Sequence, residues 1–353
     1  MSHIIIAVVI GGIAVLNAVL FWFMPRLTRR DLYFAVTVAP GFRDEPAGKS
    51  ILSRYRTDLI IASALAFIAF LAGVAWFGIG FVTVGYLIQI AASFIAFYRA
   101  RQRVLPDAVP PTMIREAELH GNQRIIPGGW IAASGPFFLL AACAAYLWIH
   151  GAETATYYSS DWSNIGQPHR LEARSISVYV ISTAVILVAF SLLLYGSARW
   201  VRPIYAVGPE RIHEVKFRRM LCAVLLLVEY FMALQASWIV LVRRQPGLRV
   251  ALLPAGFLLV LIAAAALARL GQGGNRMVAP NEKPAATSNV PVGDRTPDRY
   301  WKLGLFYFNR EDSAVIVEKR FGLGYSLNFA RPTAWIIVML VMLGALIPIL
   351  AHH

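Results

Sequence analysis

A carboxylate set in the middle of a long apolar run is the residue whose type and setting most invite chemistry in this chain. Glu229 lies within Leu225-Leu226-Leu227-Val228-Glu229-Tyr230-Phe231-Met232. A carboxylate facing lipid is costly, so Glu229 has to face other helices or a wet cavity. The functional reading is a proton- or ligand-responsive site. The plainer reading, and the preferred one, is an interhelical hydrogen bond to a Ser, Thr or Tyr, such as Ser182, Thr183 or Tyr179 on the preceding apolar segment. Gln235 follows about one and a half helical turns later and need not share that face.

Other groups able to do chemistry are more scattered. His150, Glu153, Asp161, His169 and Glu172 could hold a hard or borderline cation, but they lack tight ligand spacing and read better as a solvated rim. Glu210, His213 and Glu214 lie among Arg211 and Lys216, as on a charged helix face. Gly322-Leu323-Gly324 lacks the further glycine and the strand-to-helix setting of a phosphate loop. No serine elbow, zinc-protease motif or Walker loop occurs in a suitable context. Cys143 and Cys222 fall inside apolar runs, where they read as small buried hydrophobes. The expectation is a non-enzyme with no catalytic residue, no metal and no cofactor.

The elements that must position these groups follow from hydropathy. The 353 residues are 58% hydrophobic and 15% charged, with a mean hydropathy of +0.61. Apolar stretches near 4–24, 58–78, 80–98, 130–150, 176–198, 220–242, 250–270 and 333–351 are each long enough to cross a bilayer as a helix. The fold class expected is an all-α polytopic membrane protein with about eight transmembrane helices. The net charge is +14, and its distribution is uneven. Segments after the first, third, fifth and seventh stretches hold 7, 5, 6 and 10 Lys and Arg; Arg170, Arg174, Arg243, Arg244 and Arg249 make up the other side. Positive residues near span ends stay on the cytoplasmic side, which predicts both termini outside. Basic inner loops favour anionic lipids. No basic helix or aromatic platform stands apart from the membrane, so nucleic acid is not an expected partner. The first stretch lacks the basic start and short apolar core of a signal peptide and is expected to be retained.

Between these stretches the chain divides into a seven-helix region (1–270), a Gly-, Pro- and Ser-containing linker (271–298), a small inner module (299–332) and a last helix (333–353). Ser134-Gly135-Pro136 and Pro254-Ala255-Gly256 lie inside apolar runs and are expected to kink or closely pack helices. Thr112–Leu119 and Pro209–Arg219 read as short inner helices. The long outer loop 151–175 holds the recognition candidates Asp161, Trp162, Asn164, Gly166, Gln167, Pro168 and His169. In the inner module, Trp301, Lys302, Gly304, Asn309, Lys319, Arg320 and Asn328 are the candidates. Two β-prone runs flank a turn signal at Asn309–Ser313 and predict a hairpin there. Trp301, Tyr307 and Tyr325 are expected at headgroup level, with Lys302, Lys319 and Arg320 reaching lipid phosphates.

Three stretches in this order resemble a bacterial family of multi-span proteins related to SdpI, a peptide-toxin immunity protein. They are Pro25-Arg26-Leu27-Thr28 with Leu32–Pro40, then Trp162-Ser163-Asn164-Ile165-Gly166-Gln167-Pro168, then the module Trp301–Pro332, which is similar to a small domain of unknown function. Asp161 stands where relatives often carry His, and His169 where they carry Asp, so a role resting on that pair does not transfer. The resemblance implies a membrane fold and a link to envelope defence or signalling. It also suggests a bacterial inner membrane. From the residues themselves, the outer loop points to a peptide or envelope ligand outside; the inner module reads first as a structural brace and second as a docking site for a cytosolic regulator; and the basic loops point to membrane lipids. The alternative is a small-solute or proton-coupled transporter that uses Glu229.

Overall fold

A computed structural model describes residues 2–29, 31–77, 81–111, 125–150, 156–158, 168–170, 173–201, 209–241, 258–259, 262–263, 265–272 and 296–351. These residues are mostly helical, with short two-stranded elements between the helices. By compactness the chain divides into one unit of residues 1–117, 271–308 and 318–326, and a second of 118–270, 309–317 and 327–353. Residues 299–332, expected as one module, therefore contribute to both.

In the first unit, α1 (Ser2–Leu27) leads through strands β1 (Leu32–Tyr33) and β2 (Val36–Thr37) into α2 (Pro46–Phe77) and α3 (Phe81–Val104). Helices α2 and α3 pack side by side. Gly85 is required there, because a Cβ would lie 2.7 Å from the Phe70 ring. The amide of Gln89 bonds Ser63 Oγ across the pair at 2.9 Å, satisfying a polar group within an apolar face. β1 and β2 form a hairpin whose central residues, Phe34 and Ala35, have φ of 45° and 62°. Two left-handed residues in a two-residue loop match the right-handed strand twist, but neither is Gly or Asn. The left-handed conformation costs roughly 1–2 kcal/mol for each such residue. Burial offsets it: Phe34 packs against Tyr55 and Phe97, with centroids 4.8 and 6.3 Å away.

Within 299–332, strands β5 (Trp301–Lys302) and β6 (Phe306–Tyr307) pair around Leu303–Leu305. Strands β7 (Ile316–Glu318) and β8 (Tyr325–Leu327) flank a loop closed by Lys319 N donating to Gly324 O at 3.1 Å. The hairpin expected around Asn309–Ser313 is thus replaced by turns on either side of that segment. The segment folds on its own side chains instead, with Asn309 Oδ1 accepting from Glu311 N and Asp312 Oδ1 from Ala314 N.

The second unit holds α4 (Gly129–His150), α5 (Ala173–Arg199), α6 (Pro209–Leu241) and α7 (Pro332–Ala351), with strands β3 (Thr156–Tyr158) and β4 (Pro168–Arg170) between α4 and α5. Helix α5 packs on α4, α6 and α7, and α4 also packs on α6. Pro136 has no N–H to give the carbonyl of Ala132, and the Tyr230 hydroxyl of α6 donates to that carbonyl at 2.9 Å. Gly135 makes room, since a Cβ there would fall 1.8 Å from the same hydroxyl. The expected close packing at Ser134–Pro136 is therefore present. Pro209–Arg219 is no separate helix but the first turns of α6. Thr112–Leu119, Pro254–Gly256 and most of the linker lie outside the described residues. Cys143 and Cys222 are buried free thiols.

Among the described residues, three helical stretches are long and apolar enough to cross a membrane: Pro46–Gly73, Gly129–Tyr146 and Ser177–Arg199. Ala14–Leu27 and Pro332–Pro348 are apolar but shorter.

Candidate functional site

Three polar clusters stand out, the first built by chain segments distant in sequence. The first centres on Arg320, 0% exposed. It follows β7, in the loop that Lys319 and Gly324 close. Its guanidinium donates to Asp298 Oδ1 and to the carbonyl of Thr296. Further bonds of 3.3 Å reach Ala35 O, Thr37 Oγ1 and Thr296 Oγ1. The same guanidinium lies over the Trp301 ring, 5.3 Å from its centroid. Asp298 also accepts from Thr37 Oγ1 at 2.9 Å and Thr37 N at 3.3 Å. Arg101, from α3, donates to Ala35 O at 2.6 Å, so the strained β1–β2 turn presents one carbonyl to two arginines. Burial lowers the Arg101 pKa from its ordinary value, with Asp298 opposing the shift. Gly304, with φ +75°, packs where a Cβ would be 3.0 Å from both Ala35 Cβ and Arg101 Cδ.

Around this core, Trp301 Nε1 donates to Thr296 Oγ1 at 2.8 Å. Phe321 inserts between Phe97 and Phe21, 3.9 and 5.5 Å between centroids. Gln272 reads both backbone groups of Gly324 at 2.7 Å, as a paired strand would. Arg29 forks onto Asp31 at 2.9 and 3.1 Å and approaches Glu318 at 3.6 Å. Arg43 bonds Pro25 O at 2.9 Å and Thr28 Oγ1 at 2.8 Å, taking up a carbonyl that the end of α1 leaves unbonded. Tyr33 donates to Gly48 O at 3.0 Å, and burial pushes its phenol up to about 12 against the pull of Arg43 and Arg56. Burial lowers the pKa of Lys319.

These placements revise several expectations. Trp301 and Tyr307 are 3% and 1% exposed, so neither sits at a headgroup surface, and Arg320 is bonded inward rather than to lipid phosphate. Lys302 is exposed and Tyr325 half-buried. The sequence reading missed Thr37, Arg101, Thr296 and Asp298, whose partners are far away along the chain.

The second cluster is built by Asn328 with residues 309–331. Its Nδ2 donates to the carbonyls of Asn309 (2.9 Å), Asp312 (3.2 Å) and Ala314 (3.0 Å). Its Oδ1 accepts from Asn309 N at 3.1 Å and Ala330 N at 3.2 Å. Arg331 adds a bond to Asp312 O at 2.8 Å. Two sequence candidates, Asn309 and Asn328, are thus brought together as a loop-organising pair.

The third is Glu229, 0% exposed on α6. Its partner on α5 is Ser191, whose hydroxyl lies 3.4 Å from Oε1. Ser182 instead donates to Gly344 O at 2.7 Å, and Thr183 to Tyr179 O of its own helix at 2.9 Å, so these two hydroxyls are engaged elsewhere. Glu229 Oε2 has no hydrogen-bond partner among the described residues. Gln235 is half-buried. Nearby in sequence, buried Arg218 donates to Ser197 O and Ala198 O, completing the end of α5.

Of the outer candidates, Asp161, Trp162, Asn164, Gly166 and Gln167 lie outside the described residues. Pro168 and His169 belong to β4 and pair with Tyr158 and Tyr157.

Compared with known proteins, residues 310–335 match the model of a family of unknown function, DUF5808. That segment contains Asn328 and Arg331, with Asp312 and Ala314 that they bind. No curated protein and no solved structure matches the chain.

Proposed function

We propose that this chain is a non-enzymatic, SdpI-like protein with eight spans in a bacterial inner membrane, both termini outside, sensing or giving immunity to a membrane-active peptide or envelope ligand. The observation that carries this reading is the Arg320 cluster. It ties 296–308 and 318–326 to the β1–β2 hairpin and the end of α3 through buried side chains, as a brace for a helical bundle rather than an open reaction cleft. The match of 310–335 to a small family supports the module half of the resemblance. The ordered stretches around Pro25 and Trp162 support the rest. The outer loop supplies the recognition surface, and the inner module offers a face to a cytosolic regulator. Deleting Trp162–Pro168 is expected to change the sensitivity of cells to a panel of membrane-active peptides. An unaltered profile, with the protein still present in membranes, removes the sensing role.

A second reading has its own observation. Glu229 is wholly buried with one long hydrogen bond among the described residues, a setting suited to reversible protonation in a proton-coupled transporter. Proton flux into proteoliposomes carrying wild-type protein or Glu229→Gln separates the readings. Flux that the variant abolishes favours transport, and no flux in either favours sensing.

A further inference from the structure

The first unit carries a basic, open groove that no role above uses. It has a volume of about 460 Å³ and is lined by Trp22 of α1 and one stripe of α2. The stripe is Lys49, Leu52, Ser53, Arg56, Thr57 and Ile60, a spacing of three or four that puts all six on one helix face. None of the lining residues is acidic. Asp58, the nearest carboxylate along α2, is engaged by Arg103 at 3.0 Å.

The four polar members of this stripe, Lys49, Ser53, Arg56 and Thr57, all precede Ile60, with Leu52 between the first two. From Ile60 onward α2 exposes Ile60, Ile61, Leu65, Phe67, Ile68 and Leu71, each more than half exposed. At 1.5 Å per residue, Arg56 and Lys49 lie about 6 and 16 Å before Ile60 along the axis. Headgroup phosphates stand off from acyl chains on that scale, and a lysine stem spans the remainder. Trp22 is half-buried, and its ring stacks under the Arg56 guanidinium, 4.6 Å from carbon to centroid. The stack holds the guanidinium in place, and its Nε has no hydrogen-bond partner among the described residues. Two cations, two hydroxyls, an aromatic wall and an apolar floor that continues into a membrane-length helix together fit one kind of occupant.

We infer that the Trp22–Lys49–Arg56 groove binds the phosphate headgroup of an anionic phospholipid, with the acyl chains running along Ile60 and the apolar face beyond it. Arg56 and Lys49 contact the phosphate, Ser53 and Thr57 donate hydroxyl hydrogen bonds, and Ile60 meets the first acyl carbons. The site requires that α2 enter a bilayer but is independent of whether the protein senses a peptide or moves protons. It is also distinct from Lys319 and Arg320, to which the sequence reading assigned lipid phosphates.

Native mass spectrometry of the full chain in detergent, titrated with phosphatidylglycerol or phosphatidylcholine, tests it. Wild-type protein should retain phosphatidylglycerol preferentially. Lys49→Gln and Arg56→Gln should each weaken that binding by about fivefold, leaving phosphatidylcholine unaffected, while Arg54→Gln, at an exposed position outside the groove, changes nothing. Lys49 is exposed, so Lys49→Gln reads the site even if Arg56→Gln fails to fold. Equal retention of both lipids overturns the inference. So does an Arg54→Gln loss as large as that of Lys49→Gln, which would indicate diffuse charge. Displacement of the lipid by millimolar inorganic phosphate also overturns it, by assigning the groove to a free anion.

Discussion

Arg320 and Glu229 are both ionisable side chains at 0% exposure, and their surroundings differ in kind. Around Arg320 the chain supplies a carboxylate, two backbone carbonyls, two hydroxyls and an indole face. Around Glu229 the described residues supply one serine hydroxyl at 3.4 Å. A buried charge is retained without large cost only when paired and hydrogen-bonded. The Arg320 site meets that condition, drawing its partners from β1–β2, from 296–298 and from β5. A group so completely satisfied has no coordination left for a ligand and acts as a structural keystone. Glu229 keeps an oxygen with no partner among the described residues, which leaves it capacity to take or release a proton or bind a ligand group.

The largest test of this contrast is Arg320→Ala. It leaves Asp298, Thr37 and the Thr296 and Ala35 carbonyls without their shared donor, and should cost about 3–5 kcal/mol of stability. Thermal unfolding in detergent, followed by circular dichroism, measures it. A loss below about 1 kcal/mol would mean the cluster is incidental to the fold, and the brace reading goes with it. Arg320→Lys keeps the charge but not the planar fork and should recover less than half of the loss.

The Asn328 loop sharpens the comparison with a neutral group doing similar structural work. Asn328→Ala removes three donated and two accepted bonds at once. Unsatisfied buried carbonyls are the main penalty, so the expected loss is about 2–3 kcal/mol. Asn328→Asp should be no better, because a carboxylate oxygen then faces the carbonyls of Asn309, Asp312 and Ala314. A neutral result for either variant would show that 309–331 holds its shape without this side chain.

These sites were unequally legible in the sequence. The helices were, because long apolar runs in lipid admit little else. So was the Ser134–Pro136 packing, because a proline inside a helix has to free a carbonyl. The β1–β2 turn was not: Phe34-Ala35 contains neither Gly nor Asn, and its left-handed geometry is upheld by burial and by Arg101 and Arg320. Arg320 itself reads as a surface residue beside Lys319, since its partners Ala35 and Thr37 are more than 280 residues away. Asn309 and Asn328 could be picked out as polar residues in an aromatic module but not as a pair. For Glu229 the interhelical serine was anticipated, but not its identity. Ser182 and Ser191 lie on the same helix, and only the packing of α5 on α6 and α7 decides which meets the carboxylate.

A smaller effect concerns Tyr33, whose burial also carries a pH signature. Its phenol is raised to about 12 from 10, so the folded chain keeps a proton that the unfolded chain releases above pH 10. Stability must then fall as pH rises from 10 towards 12, by roughly 2 kcal/mol across that window. Tyr33→Phe removes this part of the alkaline slope, and at pH 8 costs about 1 kcal/mol for the bond to Gly48 O. Unfolding midpoints at pH 8 and 11 compare the two proteins. An equal alkaline loss in both would place the titration elsewhere.

The smallest expected effect bears most directly on function. Glu229→Gln removes the ionisable group while keeping its shape, and among the described residues the wild-type carboxylate has the long Ser191 contact to lose. With that one contact among the described residues, stability should change by less than about 1 kcal/mol, in contrast to Arg320→Ala. A residue held for packing alone would leave both stability and activity unmoved by this isosteric change. One held for protonation would leave stability unmoved but abolish a pH-dependent activity. A loss of 3 kcal/mol or more in the melting experiment would show that Glu229 is as firmly partnered as Arg320. The two buried ionisable residues would then belong to one structural class, and the transport reading would lose its only support.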